Sequence, residues 1–207
     1  MNIAVFGARG RMGTKVVEIA ESRGHAVWQI DKNWQQNSLK TVDAVIDFST
    51  ADATEAVCSF CKTHDCALIS GVTGRNEAQM HLIEQLSEIV PVVSKANFSQ
   101  GVNMLYELAE IVAKKLGEWD CEVVELHHRN KLDAPSGTAK ELAGLIAKQR
   151  SFKKVTVHAL RAGSNSGTHT VIFAGNGESL TLTHQAENRD IFARGAVLEA
   201  ERIVLKN

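Results

Sequence analysis

Short apolar runs in the first half of the chain alternate with segments whose apolar positions recur every three or four residues. Strands that alternate with helices in this way predict βαβ units, and therefore a parallel sheet that is covered on both faces. The predicted strands are 2–6, 26–30, 43–48, 66–70 and 91–96. The predicted helices end near residue 22, run from about 52 to 63, and run from about 76 to 89.

The pattern changes after about residue 97. An amphipathic helix over about 101–115 is predicted by the spacing of Val102, Leu105, Leu108, Ala109 and Val112. A strand, DCEVVELHH, and a helix over about 138–148 follow. Three more strands are predicted at 155–160, 168–174 and 179–186. The last two flank the turn signal GNGE, which predicts an antiparallel hairpin and hence an open mixed sheet.

The last segment is predicted to be a helix with one apolar face, formed by Ala196, Val197, Ala200, Ile203 and Val204. The predicted fold is α/β, a Rossmann-like doubly wound parallel sheet plus a smaller α+β domain with an open mixed sheet. We expect a dinucleotide-binding domain over 1–97, rejoined by the C-terminal helix 190–207, and a second domain over 98–189. The second sheet is expected to complete its burial against another subunit.

Composition and charge disfavour nucleic-acid binding and membrane insertion. The net charge of −1 gives no bulk attraction to nucleic acid or to a membrane surface, and 44% hydrophobic residues are typical of a globular protein. No apolar run approaches the roughly 20 residues that span a bilayer. The apolar start of the chain is short for a signal peptide, so the four cysteines predict reduced thiols and a cytoplasmic protein. Cys58, Cys61 and Cys66 fit core positions better than a metal site, and no metal is expected.

The first strand runs into GARGRMG, which opens the first helix. Gly7, Gly10 and Gly13 have a spacing close to the dinucleotide fingerprint, in which glycines permit a tight turn beside a helix N-terminus that binds pyrophosphate. Asp31 ends the second strand, where an acidic group would bind the ribose hydroxyls. The neighbouring Lys32 could pair with a 2′-phosphate, so the sequence leaves NAD and NADP open.

Two further turns, DFST (47–50) and GVTG (71–74), follow strands of the first half. Ligands of doubly wound sheets bind beyond the carboxyl ends of the strands. These small and hydroxyl residues are therefore consistent with a cofactor that passes close to the backbone, although ordinary loops have the same composition.

The segment EVVELHHRNKLDAPSGTAKEL concentrates protonatable and cationic groups where a strand gives way to a helix. His127 is a natural proton donor near neutral pH, and Lys131 is a permanent cation. Ser136, Gly137 and Thr138 open the helix, where backbone N–H groups can bind carboxylates. These residues predict a pocket for an anionic substrate that receives a proton.

The histidines and arginines in and beyond this segment receive different assignments. His127 and His128 are adjacent and point to opposite faces of a regular strand, so they need distinct roles or a local break. Arg129 could clamp a carboxylate or pair with Asp133, and the pairing is favoured. His158, His169 and His184 are assigned structural or subunit-contact roles on antiparallel strands. Arg161 could reach an anion, but nothing near it in the sequence indicates this.

Six motifs occur in the order found in the 4-hydroxy-tetrahydrodipicolinate reductase family, which the chain resembles along its whole length. They are GARGRMG, DFST, GVTG, ANFSQGVN, ELHHRNKLDAPSGTA and LRAGSNSGTHTVIFAG. The resemblance implies a cytoplasmic homotetramer that reduces a cyclic unsaturated imine dicarboxylate with NADH or NADPH. It also implies that the second domain binds this substrate and builds the tetramer.

The resemblance assigns roles by position. His127 and Lys131 would be the catalytic pair, and His128, Ser136, Gly137 and Thr138 would hold the substrate. The residues expected to contact the cofactor are Gly7, Ala8, Arg9, Gly10, Arg11, Met12, Asp31, Lys32, Phe48, Gly71, Val72, Thr73, Lys95, Ala96, Asn97 and Phe98.

The chain departs from the family pattern at Asn130, Ser164 and Thr168, where a histidine and acidic residues are usual, and it is shorter than most members. These departures keep open a nucleotide-binding protein that has lost turnover. A semialdehyde dehydrogenase would need a nucleophilic cysteine at a catalytic turn. The four cysteines, including Cys121, instead fall in strand-like or helix-like runs, which disfavours that class.

Overall fold

The computed structural model describes residues 1–31, 41–149 and 155–205. The chain divides into two compact units, unit 1 with Met1–Phe98 and Asp190–Asn207, and unit 2 with Ser99–Arg189. The strands are β1 Asn2–Phe6, β2 Ala26–Ile30, β3 Ala44–Asp47, β4 Ala67–Ser70, β5 Val92–Ser94, β6 Asp120–His127, β7 Thr156–Arg161, β8 Thr168–Ala174 and β9 Ser179–Gln185. The helices are α1 Arg11–Ser22, α2 Thr54–His64, α3 Glu77–Ser87, α4 Gln100–Lys115, α5 Gly137–Lys148 and α6 Asp190–Leu205.

Unit 1 contains a parallel five-stranded sheet in the order β2-β1-β3-β4-β5. Its central strands β3 and β4 are buried along their whole length, as expected for a sheet covered on both faces. The order reverses direction at β1, so the turns after β1 and β3 lie at a topological switch point. The predicted Rossmann-like sheet is confirmed.

Helices cover each face of this sheet. The apolar faces of α1 and α6 join one core cluster, and those of α2 and α3 join the other. Gly195 allows α6 to lie close to the rest of unit 1, because a Cβ there would stand 1.8 Å from the Phe98 carbonyl oxygen. The C-terminal helix is therefore an integral part of the core of unit 1.

Unit 2 contains the mixed sheet β7-β6-β8-β9, with α4 and α5 packed on one face. The β8–β9 pair is the predicted hairpin, and β6 also pairs antiparallel with β8. β7 pairs parallel with β6, so the expectation that His158 lies on an antiparallel strand is wrong. The α5 helix fills the crossover that a parallel pair requires.

One predicted core position of α4 is also wrong, because Leu108 is 40% exposed. The buried face of α4 is formed by Val102, Leu105, Tyr106, Ala109 and Ala113. At about 100° per residue, Leu108 lies about 120° from the centre of that face. Among the described residues, no helix combines the length and the apolarity that crossing a membrane requires.

Candidate active site

The glycine-rich turn between β1 and α1 brings backbone segments into close contact. Gly7 has a φ of 72°, and a Cβ there would stand 2.8 Å from the Phe48 carbonyl oxygen. A Cβ on Gly13 would stand 2.0 Å from the Gly7 carbonyl oxygen. Gly10 is the N-cap of α1, and neither a capping side chain nor an acidic residue occupies the first turn. This helix N-terminus is therefore suited to binding a phosphate group.

Two cavities open at the carboxyl edge of the unit 1 sheet and share Phe48, Ser49 and Thr50 in their walls. The larger has a volume of about 700 Å³, and the smaller has a volume of about 400 Å³. Of the residues predicted to contact a cofactor, the lining includes Gly7, Gly10, Arg11, Met12, Asp31, Phe48, Gly71, Val72 and Thr73. These volumes and this lining fit a dinucleotide, with Asp31 placed for a ribose and the helix N-terminus for phosphates.

The remaining predicted cofactor residues have other surroundings, and Lys32 lies outside the described residues. Arg9 pairs with Asp31 at 3.2 Å and is well exposed. Lys95 lies 3.8 Å from Glu199. The Phe98 ring is buried edge-on against Phe48. Ala8, Arg9 and residues 95–98 line neither of these two cavities.

Helix α2 contributes a wall of the larger cavity that the sequence analysis did not assign. Its lining residues are Ala56, Ser59, Phe60 and Thr63. They recur at positions i, i+3, i+4 and i+7, which places them on one helix face. That spacing, on a helix whose Val57, Cys58 and Cys61 are buried, is a signal that could have identified a ligand-facing wall.

In unit 2, a buried cluster forms at the end of β6. Glu125 and His127 alternate onto the buried face of the strand and are 0% and 8% exposed. His127 Nδ1 is hydrogen-bonded to Glu125 Oε2. The other oxygen, Oε1, accepts hydrogen bonds from Arg161 Nη2 at 2.8 Å and from the Ser136 N–H at 3.1 Å. The Glu125 carboxylate therefore links the end of β6, the end of β7 and the start of α5.

Glu125 is the main functional candidate that the sequence analysis missed. The alternation of β6 places Cys121, Val123, Glu125 and His127 on the buried face. A carboxylate in such a row must be paired, because an isolated buried charge is costly. An acidic residue on the inward face of a predicted strand, two positions before a histidine, was the available signal.

The pKa values in the cluster follow from burial and hydrogen bonding. Burial alone would raise the pKa of Glu125, but the bonds from Arg161, Ser136 and His127 outweigh it and lower that pKa. Burial lowers the pKa of His127 from 6.5, against the opposing effect of Glu125. Burial also lowers the pKa of His169 to about 4. His169 is therefore neutral at pH 7.

His169 and Ser136 complete the buried cluster. The His127 and His169 rings lie edge to face with centroids 5.1 Å apart, and His169 Nε2 lies 3.3 Å from Ser136 Oγ. The Ser136 hydroxyl also accepts from the Ala139 N–H and so caps α5. The amide and the hydroxyl of Ser136 thus both bind protein, and the expectation that its amide is open to a carboxylate is wrong. Gly137 is exposed, and its amide lies in the first turn of α5.

Beyond β6 the chain turns over residues 128–136, before α5 begins. His128 donates its N–H to the Asn165 carbonyl at 2.8 Å, so the strand ends at His127 and the two histidines have different surroundings. Lys131 Nζ lies 2.7 Å from Asp133 Oδ1. The expected pairing of Arg129 with Asp133 is therefore wrong, because Lys131 is the partner of that carboxylate. Arg161, left unassigned in the sequence, pairs with Glu125 instead.

Glu125, His127 and His169 offer ligand atoms within 4.8 Å of one another, a spacing that a metal ion could bridge. The Glu125 carboxylate, however, already accepts from a guanidinium, a backbone N–H and His127. A metal ion on Oε2 would take the place of the hydrogen bond to His127 and would stand close to the positive charge of Arg161. The arrangement therefore favours control of a proton on His127 over metal binding.

A glycine-rich turn before a helix N-terminus in unit 1 and a carboxylate-paired histidine in unit 2 fit the class of nicotinamide-dependent oxidoreductases. Two family models match consecutive parts of the chain: "Dihydrodipicolinate reductase, N-terminus" over residues 1–98 and "Dihydrodipicolinate reductase, C-terminus" over 101–207. The chain belongs to the dihydrodipicolinate reductase family, which confirms the resemblance drawn from the motifs. Membership implies a nicotinamide cofactor.

Curated relatives carry the name 4-hydroxy-tetrahydrodipicolinate reductase. The protein from Thermosipho africanus is 38% identical over 207 residues, which are 100% of this chain and 93% of that protein. The protein from Zymomonas mobilis is 39% identical over 229 residues, covering 97% of this chain and 90% of its own length. This chain therefore spans nearly the whole length of both relatives.

Solved structures share the fold. A dipicolinate-bound dihydrodipicolinate reductase from Paenisporosarcina sp. TG-14 aligns over 99% of this chain and 95% of its own, with a TM-score of 0.84 and 22% identity. Aspartate semialdehyde dehydrogenase II from Vibrio cholerae aligns over 100% of this chain and 98% of its own, with a TM-score of 0.58 and 8% identity.

The cysteines of this chain do not fit the nucleophile that a semialdehyde dehydrogenase would need. All four are buried, and burial raises the pKa of the Cys58 thiol.

Proposed function

We propose that this protein reduces 4-hydroxy-tetrahydrodipicolinate to tetrahydrodipicolinate with NADH or NADPH and loss of water, in the diaminopimelate route to lysine. The observation that carries the proposal is the hydrogen bond between His127 and the buried Glu125, in a chain of this family. A proton donor backed by a carboxylate is what a reduced, electron-rich ring system requires.

Unit 1 is proposed to hold the cofactor. The N-terminus of α1 takes the pyrophosphate, Asp31 takes the adenosine ribose, and Gly71 to Thr73 line the nicotinamide end. The bound nicotinamide supplies the hydride. Arg9 and Asp31 form an exposed ion pair, which supports use of both cofactors. Asp31 can accept from free ribose hydroxyls, and Arg9 can turn from Asp31 to a 2′-phosphate.

His127 is proposed to donate the proton through Nε2, because Nδ1 is engaged by Glu125. Burial lowers the pKa of His127, so the ring is mostly neutral in the free protein at pH 7. A dicarboxylate bound nearby would favour the imidazolium and thus raise that pKa. Substrate binding would therefore load the proton that the reaction consumes.

Lys131 and the start of α5 are proposed to hold the anionic substrate. Lys131 pairs with the half-exposed Asp133, a contact that a substrate carboxylate can replace. Its ammonium would then stabilise the negative charge that develops or assist departure of the hydroxyl as water. The amides of Gly137 and Thr138, with His128, would bind a carboxylate at the positive end of the α5 dipole.

Assembly is proposed to follow from the open face of the unit 2 sheet. The face opposite α4 and α5 carries Val124, Leu126 and Ile172, which are half-buried, and Leu160, which is 50% exposed. A homotetramer that pairs these faces in the cytoplasm would cover them. Light scattering coupled to gel filtration should give a mass near four times 22.6 kDa.

A coupled assay tests the activity. The unstable substrate is generated in the cuvette by its synthase, and NADH and NADPH oxidation are followed separately by absorbance. Oxidation of either cofactor that depends on both the synthase and this protein supports the proposal. NADH binding without consumption would identify a nucleotide-binding protein that has lost turnover, and would contradict the proposed reaction.

A further inference from the structure

The Arg75 side chain, which follows the GVTG turn, is buried among polar groups of unit 1. It is only 2% exposed, and its guanidinium contacts an acceptor for each of its five N–H donors. Nε donates to Thr54 Oγ1 at 3.0 Å. Nη1 donates to the Val72 carbonyl at 3.1 Å and to Ser94 Oγ at 3.4 Å. Nη2 donates to Ser70 Oγ at 2.7 Å and to Asp47 Oδ2 at 3.3 Å.

These acceptors come from separate segments at one edge of the sheet. Asp47, Ser70 and Ser94 are the last residues of β3, β4 and β5, and Thr54 is the first residue of α2. One guanidinium therefore joins the ends of three parallel strands to the start of a helix and to the turn at Val72. A planar fork with donors in fixed directions can satisfy such a set, whereas a lysine ammonium offers three donors at one point.

The network continues from Arg75 to the walls of the two cavities. Asp47 Oδ1 accepts from the Ser49 N–H at 3.0 Å and from the Ser49 hydroxyl. Ser49 lines both cavities, and Val72 lines the smaller one. The turn after β3 and the turn after β4 are thus fastened to each other through Asp47 and Arg75.

We propose that Arg75 is a positioning residue of the nucleotide site, which fixes the turns carrying Phe48, Ser49 and Gly71 to Thr73 before a dinucleotide binds. Turns that are ordered in advance lose less conformational freedom on binding, so the affinity for the ligand increases. The inference rests on the proposed cofactor site in unit 1. It is independent of the proton chemistry in unit 2, because Arg75 contacts only residues of unit 1 among those described.

The test compares two arginine-to-lysine changes in unit 1. Arg75→Lys keeps the positive charge beside Asp47 but loses most of the five hydrogen bonds. Arg23→Lys is the matched control, because Arg23 makes a two-bond ion pair with Glu201 at 2.7 Å and lines neither cavity. NADH binding is measured by fluorescence titration without substrate, and amide hydrogen exchange is measured on the cofactor-free protein.

Arg75→Lys should raise the Kd for NADH about tenfold, because turns that are no longer ordered in advance must lose conformational freedom on binding. Exchange should accelerate at residues 48–50 and 71–74 and stay unchanged in β1. At saturating NADH, kcat should stay within about twofold of the wild type, because the acid and lysine of unit 2 are untouched. Arg23→Lys should leave the NADH affinity and the exchange of both turns unchanged.

The outcomes separate the two proposals. No NADH binding by the wild type would contradict the proposed function itself. Wild-type binding with an unchanged Kd and unchanged turn exchange in folded Arg75→Lys would overturn the positioning role. If Arg75→Lys does not fold, Thr54→Val removes the Nε acceptor, together with the bond from the Thr54 hydroxyl to the Ala51 carbonyl, and should raise the Kd about threefold. An unchanged Kd in Thr54→Val would then overturn the role.

Discussion

Each unit has a fully buried carboxylate in the last three residues of a strand, and the two carboxylates have similar partners. Asp47 in unit 1 pairs with Arg75 and accepts the N–H of Ser49. Glu125 in unit 2 pairs with Arg161 and accepts the N–H of Ser136. Both are 0% exposed, so in each case an arginine and a backbone donor compensate the buried charge.

The two sites differ in the third partner. The remaining partners of Asp47 are the hydroxyls of Ser49 and Ser70, which do not titrate near neutral pH. Glu125 is instead bonded to His127, whose protonation changes near neutral pH. We therefore expect the arginine-paired carboxylate to fix backbone turns in unit 1 and to control the protonation of His127 in unit 2. The comparison predicts that changes in unit 1 alter cofactor affinity and that changes in unit 2 alter turnover.

The largest expected effect is at the proposed acid. His127→Gln should lower kcat by on the order of 10² to 10⁴, the usual contribution of a positioned proton donor. The Kd for NADH, measured by fluorescence, should stay within about twofold, because His127 belongs to unit 2. His81→Gln, on the exposed surface of α3, is the matched control and should be fully active. Full activity of His127→Gln would refute the assignment.

Removal of the proposed cation should have the next largest effect. Lys131→Ala should lower kcat by about 10² to 10³, because charge that develops in the reaction loses a stabilising partner. Lys140→Ala, which changes an exposed lysine of α5, should retain wild-type kcat in the same steady-state assay. Equal losses of kcat in the two variants would indicate a general electrostatic effect and would contradict a direct role of Lys131 in the reaction.

Substitution of Gly71 in unit 1 should show the opposite pattern, with weaker NADH binding and a nearly unchanged kcat. A Cβ at Gly71 would stand 2.3 Å from the Phe48 ring, so Gly71→Ala must displace that ring from the shared cavity wall. We expect the NADH Kd to rise about tenfold with kcat at saturating NADH within about threefold. Gly144→Ala is the control, because its Cβ would meet nothing within 4 Å. Unchanged NADH affinity in Gly71→Ala would show that Phe48 does not contribute to cofactor binding.

The last prediction concerns the pH dependence of stability and leaves both sites unchanged in their function at pH 7. Burial lowers the pKa of His169 to about 4 from an ordinary 6.5, so the unfolded chain binds a proton that the folded protein excludes. Stability from this group is complete above pH 6.5 and is lost as the pH falls toward 4, by at most about 3 kcal/mol. Urea unfolding of wild type and His169→Gln across this range should show a flatter pH dependence in the variant. Parallel curves would contradict the buried neutral histidine.

The sequence predicted elements that depend on local patterns. The strand–helix alternation, the glycine spacing after β1 and the hairpin around GNGE all act over a few residues. The partnerships that build the two sites act at longer range. Arg161 is 36 residues from Glu125, and Arg75 is 28 residues from Asp47. Nothing beside either arginine in the sequence marks its partner. The nearness of Asp133 in the sequence favoured an ion pair with Arg129, but that carboxylate pairs with Lys131.

The pH dependence of kcat/KM for wild type and Glu125→Gln tests the central claim most directly. If protonated His127 donates the proton, wild-type kcat/KM falls as the pH rises, with an apparent pKa below 6.5, because burial lowers the pKa of the free ring. Glu125 opposes that lowering, so Glu125→Gln should move the falling limb to lower pH by about one unit. A limb that stays in place, or moves to higher pH, would contradict the account.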